Sequence, residues 1–140
     1  MNKLKNILFL IGRVILGFYY INSGLNHFMQ LKQMAQYAAF KGVPLPEIAV
    51  IFSGILLLIG GLTILTGFLP YLGVFSLVLF FLPVTFIMHN FWVEKDMQMK
   101  IMQMIHFMKN MGLMSSSLMF LLIPEPWPFS FGRKKICCYY

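Results

Sequence analysis

Apolar residues run along this chain in blocks broken by short polar or proline-rich stretches. A helix needs about 20 mainly apolar residues, rising about 1.5 Å each, to cross a bilayer. The first block, Ile7–Phe28, is interrupted only by Arg13 and a few amides. A second run, Ile48–Met88, holds no charged residue and is too long for one crossing. Within it Gly67-Phe68-Leu69-Pro70 is a turn signature, which divides the run into Ile48–Thr66 and Tyr71–Met88 joined by a tight hairpin. The last block, Ile105–Ile123, carries Lys109 and stops at Pro124, Pro126 and Pro128, because proline cannot continue a helix. The pattern predicts an all-α integral membrane four-helix bundle with both termini on the same side. It forms one transmembrane domain over residues 1–140, with spans at 7–28, 48–66, 71–88 and 105–123 and a C-terminal tail at 124–140. In the longest connection, Met29–Pro46, the stretch Ala35–Phe40 predicts a short surface helix, ended by Gly42 and placed to cover one mouth of the bundle.

Composition agrees with the blocks. The chain is 59% hydrophobic and 11% charged, with a mean hydropathy of +0.79. A soluble domain carries about 25% charged residues, so this chain is too poor in charge for a water-facing surface. A soluble enzyme, a disordered tail, a collagen, a coiled coil and a disulfide scaffold are excluded. The first block is too long for a cleaved signal and no small-x-small site follows it, so it is expected to be retained. Asn2 in place of glycine rules out myristoylation.

Flanking charges set the expected orientation. Lys3, Lys5, Arg133, Lys134 and Lys135 fall on one side; Lys32, Lys41, Lys95 and Lys100 fall on the other, shared with Glu47, Glu94 and Asp96. The Arg133–Lys135 cluster places both termini in the cytoplasm, with the chain in the cytoplasmic (inner) membrane. The net charge of +7 then reads as attraction to anionic lipid, with no nucleic-acid partner and no motif for one. Cys137 and Cys138 are adjacent in the tail, where they read as thiols rather than a disulfide or a zinc site.

Polar residues inside spans are costly and are functional hypotheses by default. Arg13, Gly17, Tyr20, Gly24 and His27 recur at spacings of four, three, four and three, which puts them on one helix face. Gly17 and Gly24 permit close approach of a neighbouring helix, as does Ser117 in the fourth span. Three histidines, His27, His89 and His106, sit at ends of three spans that an up-and-down bundle brings to one membrane face, with Asn26, Asn90, Lys109 and Asn110 beside them. Arg13 lies roughly 20 Å away along its helix. The expected pocket is basic and hydrogen-bonding, suited to an anion, a quinone carbonyl or a lipid headgroup. The ligand-binding candidates are therefore Arg13, Tyr20, Asn26, His27, His89, Asn90, His106, Lys109 and Asn110. No span holds a carboxylate, which argues against a proton-coupled exporter. No histidine pair has an i,i+4 spacing, which argues against a metal. The methionines of the fourth span scatter around the helix and read as adaptable filling. No nucleophilic triad, phosphate loop or haem-attachment motif is present, so catalytic residues are not expected and any redox cofactor must come from outside.

Three segments resemble the DoxX family of small four-helix membrane proteins. They are Arg13-Val14-Ile15-Leu16-Gly17 with Ser23-Gly24-Leu25-Asn26-His27-Phe28, then His89-Asn90-Phe91-Trp92, and finally Phe107-Met108-Lys109-Asn110 within Gln103–Gly112. The resemblance covers Lys5–Ile123. It implies a membrane subunit of a thiosulfate:quinone oxidoreductase or a terminal quinol oxidase, or a partner in a membrane redox-stress complex. Quinone is the cofactor it suggests, and a soluble oxidoreductase or a second copy of the chain the partner. Many members carry a glutamate in the second helix where this chain has Ser53. The rival expectations are a small-anion or lipid carrier without chemistry, and a structural or assembly factor.

Overall fold

The computed structural model describes residues 3–131. Every regular element among them is helical: α1 (Lys3–Met29), α2 (Leu31–Phe40), α3 (Pro46–Thr66), α4 (Pro70–Pro83) and α5 (Met97–Met119). A π-helical turn, Val84–Met88, extends α4, and short 3₁₀ turns follow at Phe91–Val93 and Phe120–Leu122. Three stretches, Lys3–Met29, Pro46–Thr66 and Pro70–Val93, are long and apolar enough to cross a membrane. The basic cluster Arg133–Lys135 and the thiols Cys137 and Cys138 lie outside the described residues.

Most element boundaries follow local chemistry. Gly67 ends α3 with φ +70 and Pro70 opens α4, as the Gly-Phe-Leu-Pro signature predicts. α2 begins at Leu31, four residues before the stretch expected to be helical, and Gly42 with φ +81 lets the chain turn after it. The largest departure is α5, which starts at Met97 rather than Ile105. Asp96 is the cause: its carboxylate accepts a 2.8 Å hydrogen bond from the Met99 amide and caps the helix.

The α1–α3 contact is built on glycine from both sides. A Cβ on Gly17 would stand 2.8 Å from Leu65 Cβ and 3.2 Å from the Gly61 carbonyl oxygen; one on Gly61 would stand 2.9 Å from the Gly17 oxygen. One turn-pair along, a Cβ on Gly24 would lie 3.0 Å from the Gly54 oxygen, and one on Gly54 would lie 3.0 Å from His27 Cβ. Residue numbers rise on α1 as they fall on α3, so the helices are antiparallel. The seven-residue spacing of Gly17 and Gly24 matches that of Gly54 and Gly61, which fixes one register. Such close backbone approach is what small residues provide where lipid removes the hydrophobic drive between helices. α4 then packs on α3, with Gly60 against Leu77 and Gly73 against Thr63.

Polar and apolar residues are arranged inside out. Arg13 is 1% exposed, while Phe75 is 65% exposed. Tyr20 is fully buried and shares a 2.8 Å hydrogen bond with Ser117 Oγ, which ties α1 to α5. The segment after α5, expected to be a tail, is packed through Phe131. Its prolines have no N–H, so it cannot pair its own backbone as a helix, and its carbonyls stay free. Arg13 takes them: Nη1 donates to Pro128 O at 3.0 Å, and Nη2 to Phe129 O at 3.1 Å and Leu65 O at 3.2 Å. Trp127 is buried against Phe9 and Phe120, with the guanidinium 5.6 Å from its ring centroid. Gly67 leaves room for this, since a Cβ there would meet Arg13 Nη1 at 3.0 Å.

The glycine contact makes a direct prediction. Gly17→Leu or Gly61→Leu forces backbone against side chain, where neither helix can yield, and should cost about 2 kcal/mol of stability. Thermal unfolding in detergent is expected to show a clear loss for both variants. Gly112→Leu, with open space around its Cβ position, should leave the midpoint unchanged.

Candidate functional site

Pro83 has no N–H to continue the ladder of α4, and the five residues that follow wind as the π-helical turn Val84–Met88. His89 then leaves the helix at φ −116, ψ 40. On α1, Gly54 of α3 admits His27 against its own backbone. On α5, Gln103, His106 and Asn110 follow at spacings of three and four and so share a face. These elements surround a cavity of about 650 Å³, which α2 helps to line. Its size falls within the range of about 300–1,000 Å³ usual for small-molecule sites.

The cavity walls are mainly apolar, from Phe52, Leu57, Leu79, Phe80, Val84 and Ile87 among others. Polar groups on its lining come from Tyr19, Ser23 and His27 of α1, Gln30 before α2, Gln33 and Tyr37 of α2, and Ser53 of α3. His89 follows α4, and His106, Lys109 and Asn110 come from α5. No carboxylate of the described residues lines it.

A chain of hydrogen bonds fixes one wall. Tyr37 Oη donates to Met88 O at 3.4 Å, Gln103 Nε2 donates to Tyr37 Oη at 2.8 Å, and His89 Nδ1 lies 2.8 Å from Gln103 Oε1. The His89 and His106 rings stack with centroids 5.1 Å apart. Across the cavity His27 Nδ1 lies 2.8 Å from the Ser23 carbonyl oxygen and its ring meets the edge of Phe80. Among the described residues no group of three or more His, Cys, Asp or Glu side chains is arranged to hold a metal ion.

Of the residues singled out from the sequence, His27, His89, His106, Lys109 and Asn110 line this one cavity. Arg13 and Tyr20 do not: the shared helix face is long, and they are held by the C-terminal segment and by Ser117 instead. Asn90 accepts from Lys41 Nζ at 2.9 Å and belongs to the closure of the cavity rather than its wall. Asn26 does not line it either; its carbonyl accepts from the Gln30 amide at the end of α1. Gln103 and Tyr37 were missed. The helical-face rule would have found Gln103, three residues before His106. Nothing local marks Tyr37, whose role depends on α2 folding back over the bundle.

α2 is fastened at its far end by a single ion pair. Lys41 Nζ donates to Glu94 Oε1 at 2.7 Å as well as to Asn90, and it stands 5.8 Å from the Tyr37 ring centroid. The Lys41 side chain is largely buried there, so removing Glu94 leaves a cation in a dry place. Glu94→Gln should therefore raise amide hydrogen exchange in Leu31–Phe40 at least several-fold while α3 and α4 keep their protection. Equal protection of α2 in both proteins would show that the pair does not fasten it.

The DoxX family model matches residues 8–90, more than half of the chain. No curated protein and no solved structure matches it. The matched stretch takes in most of α1 with its glycines and His27, the whole of α2, α3 and α4, and His89; it stops short of α5. With its apolar spanning helices and this match, the chain is a membrane protein that belongs to the DoxX family.

Proposed function

We propose that this protein is a membrane-embedded, non-catalytic subunit of a redox system that holds one small amphipathic molecule and presents it to a partner oxidoreductase. The observation that carries the reading is the cavity: about 650 Å³, apolar walls, and hydrogen-bonding groups from four helices and from His89 on one lining. Quinone is the class of molecule that the DoxX resemblance implies. Among the described residues no thiol, carboxylate or metal cluster lines the chamber, and in this reading oxidising or reducing equivalents come from the partner. Ser53, which the DoxX resemblance sets against the glutamate of many members, lies on the cavity wall. A carrier of a lipid or small anion is the second reading, and Lys109 on the wall favours it.

In this account α5 is the fourth span and the bundle sits in the cytoplasmic membrane with both termini in the cytoplasm. Supporting the shared side, Phe131 N donates to Thr66 O at the α3–α4 turn, and Arg13 of α1 bonds the same region. A reporter fused after Tyr140 should read cytoplasmic and one inserted at Lys41 periplasmic. The reverse pattern would move the cavity to the cytoplasmic face.

The function itself is tested by purification in mild detergent followed by native mass spectrometry. The wild-type protein should retain a small amphipathic molecule, and a flavin, molybdenum or thiol enzyme should come along with it. Lys109→Met keeps bulk and removes charge and donors, so it should reduce retention at least about tenfold if the ammonium meets the ligand. Retention of nothing, with no partner, by a folded protein would favour a structural or assembly role.

A further inference from the structure

The hydrogen bonds around the cavity determine which nitrogen of each histidine carries its proton. The Met88 carbonyl can only accept, so the single proton of Tyr37 points to it. Tyr37 Oη must then accept from the Gln103 amide nitrogen, which turns Gln103 Oε1 toward His89. An amide oxygen also only accepts, so His89 Nδ1 is the N–H. His27 reaches the same state by a shorter route, because its Nδ1 faces the Ser23 carbonyl oxygen. Lys109 already places a cation on the lining, and among the described residues no carboxylate accompanies it. Further unpaired charge in this low-dielectric place would be costly, so both rings are neutral imidazoles. Each then keeps a bare Nε2 with no protein donor among the described residues, on a ring that lines the cavity.

Asn110 supplies the complementary group. It is 5% exposed, lines the cavity, and its side-chain amide bonds no other described residue. An amide that faces an apolar cavity without a protein partner is satisfied by an occupant's oxygen. Two bare ring acceptors share the lining with the Asn110 amide and Lys109 donors, so a head group that meets both kinds must donate as well as accept. A bare Nε2 facing a carboxylate, ketone or ether oxygen sets lone pair against lone pair.

We propose that the cavity selects an amphiphile whose apolar body ends in a neutral hydroxyl group, which donates to Nε2 of His27 or His89 and accepts from the Asn110 amide. This rests on the reading that the cavity is occupied. The hydroxyl has two chemical sources, a phenolic ring or an aliphatic lipid alcohol, and the experiment separates them.

The test uses two matched pairs on the full chain in detergent: dodecylphenol against its methyl ether, and dodecanol against its methyl ether, with binding followed by native mass spectrometry. At least one alcohol should bind roughly tenfold or more tightly than its ether. Preference in the phenol pair assigns an aromatic head, and preference in the dodecanol pair a lipid alcohol. Gln103→Leu, which touches no ligand but frees His89 Nδ1, should shrink the preference several-fold and leave ether binding unchanged. Nitrogen NMR of histidine-labelled wild-type protein should show protonated Nδ1 and bare Nε2 at His27 and His89. Ethers that bind as well as alcohols, or an Nε2–H on both rings, would overturn the hydroxyl selection while leaving an occupied cavity. Binding of none of the four compounds would overturn the occupied cavity as well.

Discussion

The arrangement of this protein depends on how closely α1 and α3 approach. In lipid there is no gain from hiding apolar side chains against one another, so helix contact must come from backbone proximity and polar bonds. The paired glycines Gly17 with Gly61 and Gly24 with Gly54 provide that proximity and allow only one register. Everything at the polar end follows from it. The Gly54 contact sets His27 beside Ser53, and the bend after α1 then throws α2 back across α3, where Ala35 and Ala38 pack on Val50.

Burial of polar groups away from water explains the two ends of the molecule. At one end a buried guanidinium has backbone carbonyls rather than an acid for partners, and those carbonyls are free because the segment bearing them is rich in proline. That end is closed. At the other end the Asn110 amide lies on the wall of a cavity with no side-chain partner among the described residues.

Much of this was legible in the residues themselves. Block lengths and the Gly67–Pro70 turn locate the spanning helices, and the spacing of Gly17 and Gly24 marks a packing face. The common depth of His27, His89 and His106 gathers most of the cavity's basic residues. Other features were hidden for physical reasons. One-face periodicity cannot say how far along a helix a pocket extends, so Arg13 and Tyr20 were grouped with His27 although they serve other contacts. The cap by Asp96 lengthened α5 into a stretch that hydropathy alone leaves in a loop. The packing of Trp127 and the Lys41–Glu94 pair both join segments far apart in sequence, and no local pattern encodes them.

The central claim, that the glycine register builds an occupied chamber beneath α2, is tested most directly by an experimental structure of the protein in a lipid nanodisc without added ligand. The account predicts elongated non-protein density between α2, α3 and α4, its polar end within hydrogen-bonding distance of the Asn110 amide. A chamber closed by collapse of α2 onto α4, with Asn110 bonded to protein and no such density, would contradict it.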